Sequence, residues 1–239
     1  MRDMLVIMPS RGRPVQLRET LTEVYRLAGL PGLDVIVGLD HDDPELLAYR
    51  EIDDGRTLMM VANRRTLTEW TNLIFSRFGS NYRFIASFGD DHVPRTQDWD
   101  KKLADAAMKD GQPGMAYPED GRRDDVPEAI VMAREIPDAL GWVCEPSLTH
   151  FYVDNVWAEI GKALDCLAFC PDVVIQHLHY LAVPGITRDA TYAEAEQRNG
   201  YDDRMFNRWL AERRDADAAR VARMRDDHSR LRLPKAAEL

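Results

Sequence analysis

Apolar residues fall into two alternating rhythms along the first half of the chain. Met4-Leu5-Val6-Ile7-Met8 is an unbroken apolar run ended by Pro9, the pattern of a strand buried on both faces. Leu17, Leu21, Val24 and Tyr25 then recur at helical spacing, with Pro14 near the start and Ser10 available as a cap. Leu33 to Leu39 is a second, largely apolar run, opening onto Asp40-His41-Asp42-Asp43-Pro44 and a short helix near Glu45 to Glu51. Thr57 to Val61 predicts a third strand, and Thr66 to Phe78 a helix with Leu67, Trp70, Leu73, Ile74 and Phe78 on its apolar side. Tyr82 to Phe88 predicts a fourth strand, Trp99 to Met108 a helix, and Gly114 to Tyr117 another strand. Strands separated by helices pair in parallel through crossovers, so the fold class is α/β.

The pattern loosens afterwards. Gly121 to Pro127 is polar and rich in Arg and Asp, and reads as a mobile loop. Trp142 to Tyr152 reads as extended and Val153 to Leu164 as helical. Phe169 to Leu181 as a strand puts Val173, Ile175, His177 and His179 on one face. From Ala190 the composition shifts to Ala, Arg, Glu and Asp, anchored by Met205, Phe206, Trp209 and Leu210. This predicts one or two helices on the edge of the domain and a frayed tail. The expected division is residues 1–187 as the main domain and 188–239 as a helical extension.

Composition narrows the classes. The 239 residues suffice for a sizeable core, and the formal net charge of -10 argues against direct nucleic-acid binding through clustered cations. Cys144, Cys166 and Cys170 form no CxxC pair and read as reduced thiols of a cytosolic protein. No apolar stretch approaches the roughly 18 residues of a membrane span, so the expectation is a soluble, cytoplasmic chain. GxGxxG, GxxxxGK, HExxH and GxSxG signatures are missing from the sequence.

The densest candidate chemistry is Phe88-Gly89-Asp90-Asp91-His92, carboxylates and an imidazole where a buried strand surfaces. Mg²⁺ and Mn²⁺ take oxygen ligands, Mn²⁺ also accepts imidazole, and both bridge protein to phosphate. If this segment is extended, Asp90 and His92 share a face and Asp91 points the other way. Asp40 and Asp90 both stand at carboxyl ends of predicted strands, where ligands of α/β sheets sit.

In this order the pieces resemble GT-A-type, family-2-like glycosyltransferases, including compact ones encoded by bacteriophages, over roughly residues 4–185. Val6-Ile7-Met8-Pro9-Ser10-Arg11-Gly12-Arg13-Pro14 looks like their opening strand and loop, and Gly38-Leu39-Asp40-His41-Asp42-Asp43 like their base-binding Asp. Asp90-Asp91-His92 stands where they carry the DxD metal motif, with His92 at the second acidic position. Asp154, in Phe151-Tyr152-Val153-Asp154-Asn155-Val156-Trp157, sits at the position of the catalytic base, although Val153 replaces the usual Glu before it. His177 and His179 are placed like the late His of the metal site.

The resemblance implies a Rossmann-like, mostly parallel central sheet flanked by helices, and transfer of a sugar from a nucleotide-diphosphate donor (UDP- or GDP-sugar) to an unidentified acceptor. It implies Mn²⁺ or Mg²⁺ held by Asp90, Asp91 or His92 with His177 or His179. Pro9, Ser10, Arg11, Arg13, Asp40, Asn63, Arg64 and Asp90 would line the nucleotide, and Asp154 would take the acceptor's proton in an inverting reaction. A phage-encoded chain would work in the host cytoplasm. Other readings stay open: a sugar-phosphate nucleotidyltransferase, or a non-catalytic binding protein of the same fold. Asp154 could equally be a helix cap, Asn63 a turn residue, Trp142 a stacking surface or core; oligomeric state is open.

Overall fold

The computed structural model of the protein describes residues 1–52 and 55–232. In chain order its elements are β1 (Arg2–Ser10), α1 (Pro14–Arg26), β2 (Leu33–Asp40), α2 (Leu46–Tyr49), β3 (Thr57–Ala62), α3 (Leu67–Phe78), β4 (Tyr82–Ser87), β5 (His92–Pro94) and α4 (Trp99–Ala106). There follow β6 (Met115–Glu119), β7 (Ile130–Ala133), α5 (Glu135–Leu140), α6 (Val153–Ala163), β8 (Leu167–His177), α7 (Ala190–Glu196), α8 (Asn199–Glu212) and α9 (Arg214–Arg232). The strands form one sheet in the order β3-β2-β1-β4-β7-β6-β8-β5.

The period-two rule accounts for the centre of that sheet. Along β1, Met4, Val6 and Met8 face one core with Leu17, Leu21, Val24, Trp99 and Leu103. Leu5 and Ile7 face the other, with Trp70, Ile74, Val156 and Ile160. Because both faces are covered, β1 reads as an unbroken apolar run. It pairs in parallel with β2 and β4, and β2 in parallel with β3, as expected for crossover-linked strands.

The far half of the sheet is mixed. Strand β7, which the periodicity missed, runs antiparallel to both β4 and β6, and β5 runs antiparallel to the end of β8. With β7 reversed between β4 and β6, the fold is α/β with antiparallel additions. Segment 142–152 is not the expected extended strand. Its backbone is satisfied by a side chain instead of a ladder: Asn72 Oδ1 accepts from Val143 N at 2.9 Å and Cys144 N at 3.0 Å. Trp142 belongs to the core, with no sugar-stacking position. Ser10 is the last residue of β1 rather than a helix cap, and its hydroxyl is engaged elsewhere.

The C-terminal part forms three helices, not one or two. Trp209 of α8 and Val221 of α9 join the core beside α5 and α6. The expected frayed tail falls on 233–239, outside the described residues. No described helix is long and apolar enough to cross a membrane.

One carboxylate ties this part to the sheet domain. Asp202 of α8 is fully buried and accepts from Thr149 N (2.8 Å), His150 N (3.0 Å), Phe151 N (2.9 Å) and the Thr149 hydroxyl. The next residue, Tyr152, sits in the left-handed region at φ 66 and stacks on Phe206, with ring centroids 5.2 Å apart. Such a backbone persists where its surroundings hold it. Asp202→Ala would strand several donors and is expected to lower stability by about 3–5 kcal/mol. Urea denaturation checks this; an unchanged midpoint would remove Asp202 from that role.

Candidate metal and nucleotide site

A cavity of about 420 Å³ opens at the carboxyl ends of β1, β2 and β4. Pro9, Ser10, Arg11, Arg13, Asp40, Arg64, Asp90, Asp91, His92, Asp154, His177 and His179 all line it. Asn63 is exposed and is not among the lining residues. This is the position that sheet topology assigns to ligands.

The β2 side of the cavity is built around Asp40. Gly38 leaves room for Trp70, since a Cβ there would lie 2.6 Å from the indole ring. The indole Nε1 donates to Asp40 Oδ1 at 2.8 Å, and Arg65 N donates to the same oxygen at 3.0 Å. Arg11 reaches Asp40 Oδ2 at 3.1 Å and Asp42 at 2.8 Å. Asp40 is thus oriented by a strand end, a helix and a loop. Gly12, at φ +67, turns the loop so that its N–H donates to Asp43 at 2.8 Å. Arg64 pairs with Glu194 of α7.

Residues 89–92 form a turn, closed by His92 N donating to Gly89 O at 3.2 Å. The face-sharing expected of an extended segment therefore does not hold. Asp90 turns toward β1: Ser10 Oγ donates to its Oδ2 at 2.6 Å and Arg13 lies 3.2 Å from its Oδ1. Asp91 and His92 turn instead toward His177, and one donor atom from each of these residues lies within 4.8 Å of the others. His179 is outside this group. Strand β8 ends at His177, and His179 occupies the following turn, packed 4.8 Å from the Tyr192 ring.

Arg13 lies at the centre, with Asp90 and Asp91 each at 3.2 Å and Asp189 at 2.7 Å. Its guanidinium also lies 4.1 Å from the Tyr192 ring centroid, and the Tyr192 hydroxyl donates to Asp91 Oδ2 at 2.7 Å. The segment after β8 thus forms part of the cavity wall. On the opposite side, Glu128 meets His177 Nδ1 at 2.6 Å, and Arg122 holds its other oxygen at 2.7 Å. His177 Nε2 lies 3.6 Å from Asp91 Oδ1.

Charge follows from these contacts. Burial pushes Asp90 up to about 6, opposed by Arg13 and reinforced by the charge of Asp91. For Asp91, burial is outweighed by the His177 hydrogen bond and charge, which hold it well below the usual carboxylate range. His177, between two carboxylates, rises to about 9 despite its burial. Burial and the His177 charge lower His92 to about 3. Asp154 is raised, chiefly by burial. It occupies the first turn of α6 behind the cap residue Tyr152, so it is not the cap itself.

Glu128, Asp189, Tyr192 and Asp202 were not anticipated from the sequence. The one signal available for Glu128 was the buried apolar run Ala129 to Ala133, a strand whose start would have marked its neighbour. The others act across long sequence separations and follow no local pattern.

No protein-family model matches the chain, and no curated protein matches it in sequence. Solved structures do match. A mannosyltransferase from Pyrobaculum calidifontis, PcManGT in complex with GDP-Man and Mn²⁺, aligns over 96% of this chain and 77% of its own, with TM-score 0.58 and 16% identity. TarS 1-349 of S. aureus in complex with UDP-GlcNAc aligns over 87% of this chain and 71% of its own, with TM-score 0.55 and 12% identity. The same protein with UDP aligns over 88% and 75%, at 0.57 and 11%. The chain has the GT-A fold that these nucleotide-sugar transferases share.

The His177 environment has a pH signature. Its pKa rises from 6.5 to about 9 on folding, so the folded state holds the proton more tightly. The resulting stability is complete below pH 6.5 and is lost as pH rises through about 9. In EDTA, the stability gap between wild type and His177→Gln should shrink on the order of 3 kcal/mol across that window. A gap independent of pH would refute a charged imidazole between Asp91 and Glu128.

Proposed function

We propose that the protein is a metal-dependent glycosyltransferase that moves a sugar from a nucleotide-diphosphate donor to an acceptor hydroxyl with inversion. The observation that carries this reading is one cavity at the strand ends that joins Asp40, the Asp91–His177 pair and Asp154. The GDP-Man and UDP-GlcNAc of the structural neighbours support a GDP- or UDP-sugar as donor.

The donor set fits a Mg²⁺ or Mn²⁺ ion: a carboxylate oxygen and an imidazole nitrogen 3.6 Å apart, within reach of one ion and with phosphate oxygens to complete its shell. When bound, the ion supplies neutralisation of the charge developing on the departing diphosphate. Arg13 and Arg11 flank the same space and would pair with phosphate or hold the nucleotide. Asp40 would accept from the base, and Asp90 with Ser10 would face the ribose. Asp154 would take the proton of the attacking hydroxyl; burial raises its pKa, which makes the carboxylate more basic. On this reading residues 1–187 carry the catalytic site and 188–239 form an extension. The free thiols Cys144, Cys166 and Cys170 suit a reducing, cytoplasmic setting.

The test is a thermal-shift series with Mn²⁺ or Mg²⁺ against UDP and GDP, followed by sugar-transfer assays with the sugar donor of whichever binds. A ligand at about 100 times its Kd stabilises by roughly 2.7 kcal/mol, so a shift that needs metal and one diphosphate together is the expected result. No shift with any pair sinks the proposal. Asp154→Asn is expected to lower kcat about 10²–10⁴-fold with donor affinity unchanged. In the wild type, activity should fall as pH drops through the raised pKa of Asp154; wild-type rates in the Asn variant would place the base elsewhere.

A further inference from the structure

We propose that Glu128 is a positioning residue for the cation site, fixing His177 with its Nε2 lone pair toward Asp91 and so making it, rather than His92 or His179, the imidazole ligand. The inference rests on the metal-dependent reading above and goes beyond it by naming what selects the ligand.

A neutral imidazole carries one hydrogen, so a nitrogen that accepts a hydrogen bond forces the hydrogen onto the other. At His92, Gly89 N donates to Nδ1 at 2.7 Å. The hydrogen of His92 therefore lies on Nε2, which is buried without a partner among the described residues. An N–H cannot ligate a cation. At His179, Leu181 N donates to Nδ1 at 3.2 Å, with the same result. His177 is the opposite case. Its Nδ1 faces a Glu128 oxygen at 2.6 Å, and an ionised carboxylate only accepts, so Nδ1 carries the hydrogen. On the charged ring Nε2 also carries a hydrogen, toward Asp91; a cation would replace that hydrogen, and the lone pair of the neutral ring is then on Nε2, 3.6 Å from Asp91 Oδ1.

Glu128 is itself held. Its side chain is 9% exposed and Arg122 occupies its second oxygen at 2.7 Å, which fixes the carboxylate plane. Backbone contacts hold the strand end, with His177 N donating to Asp120 O at 3.0 Å. A carboxylate behind a metal-bound imidazole both orients the ring and raises its basicity, and losing such a partner typically weakens metal affinity about 10–100-fold.

The experiment is Mn²⁺ titration of the full chain by calorimetry and EPR, alone and with UDP or GDP, for wild type, Glu128→Gln, His177→Asn and His92→Asn. The expected result is affinity about 10-fold or more weaker in Glu128→Gln and lost in His177→Asn. His92→Asn should stay within about twofold of wild type. In parallel, ring ¹⁵N shifts of His177 in the Mg²⁺-loaded wild type should show hydrogen on Nδ1. That readout needs no variant and is not moved by a loss of folding. Wild-type Mn²⁺ affinity in Glu128→Gln, or hydrogen on Nε2 of His177, would overturn the inference and leave the transferase reading standing. A wild type that binds no Mn²⁺ overturns the metal part of that reading, and this inference with it.

Discussion

The adjacent Asp90 and Asp91 and the distant Asp189 converge on the guanidinium of Arg13. Burial and the neighbouring charge of Asp91 make Asp90 resist ionisation, whereas Asp91 and Asp189 are held ionised by their cationic partners. The guanidinium answers that charge from a rigid base, because Arg13 precedes α1, whose first residue is Pro14. Loop, strand ends and C-terminal segment therefore meet through one cation, and the shape of the cavity depends on it. Tyr192 completes the arrangement by covering the guanidinium with its ring and giving its hydroxyl to Asp91.

The residues after β8 reach the cavity from two directions. Asp189, Tyr192 and Glu194 lie over the Arg13 and Arg64 side, while Asp202 and Phe206 brace the turn ahead of α6 on the other. The α6 turn carries Asp154 just after a left-handed Tyr152, so its geometry is set by helices far along the chain. What reads in sequence as a charge-rich extension thus touches both walls of the site.

Much of the fold was legible. An unbroken apolar run marks β1 and largely apolar runs mark β2 and β4, because a sheet covered on both faces needs few polar residues within its strands. Placing Asp40 and Asp90 at strand ends located the cavity. What could not be read was anything decided by a turn or a distant partner. Residues 89–92 have no alternation because they turn, and so the sequence left Asp91 and His92 equivalent. His177 and His179, two residues apart, look alike in an extended register; β8 simply stops between them. Segment 142–152 misled because its apolar residues are core without being strand, with backbone donors going to the side chains of Asn72 and Asp202. Short β7 and β5 carry too few residues for a periodic signal.

The contacts at Asp91 also bear on proton release. Its Oδ2 already receives Arg13 and the Tyr192 hydroxyl, and its Oδ1 faces the imidazole of His177. A cation taken up between Asp91 Oδ1 and His177 Nε2 would not enter an open acidic bowl; it would replace the proton that these two side chains share, so uptake of the ion would release that proton to solvent.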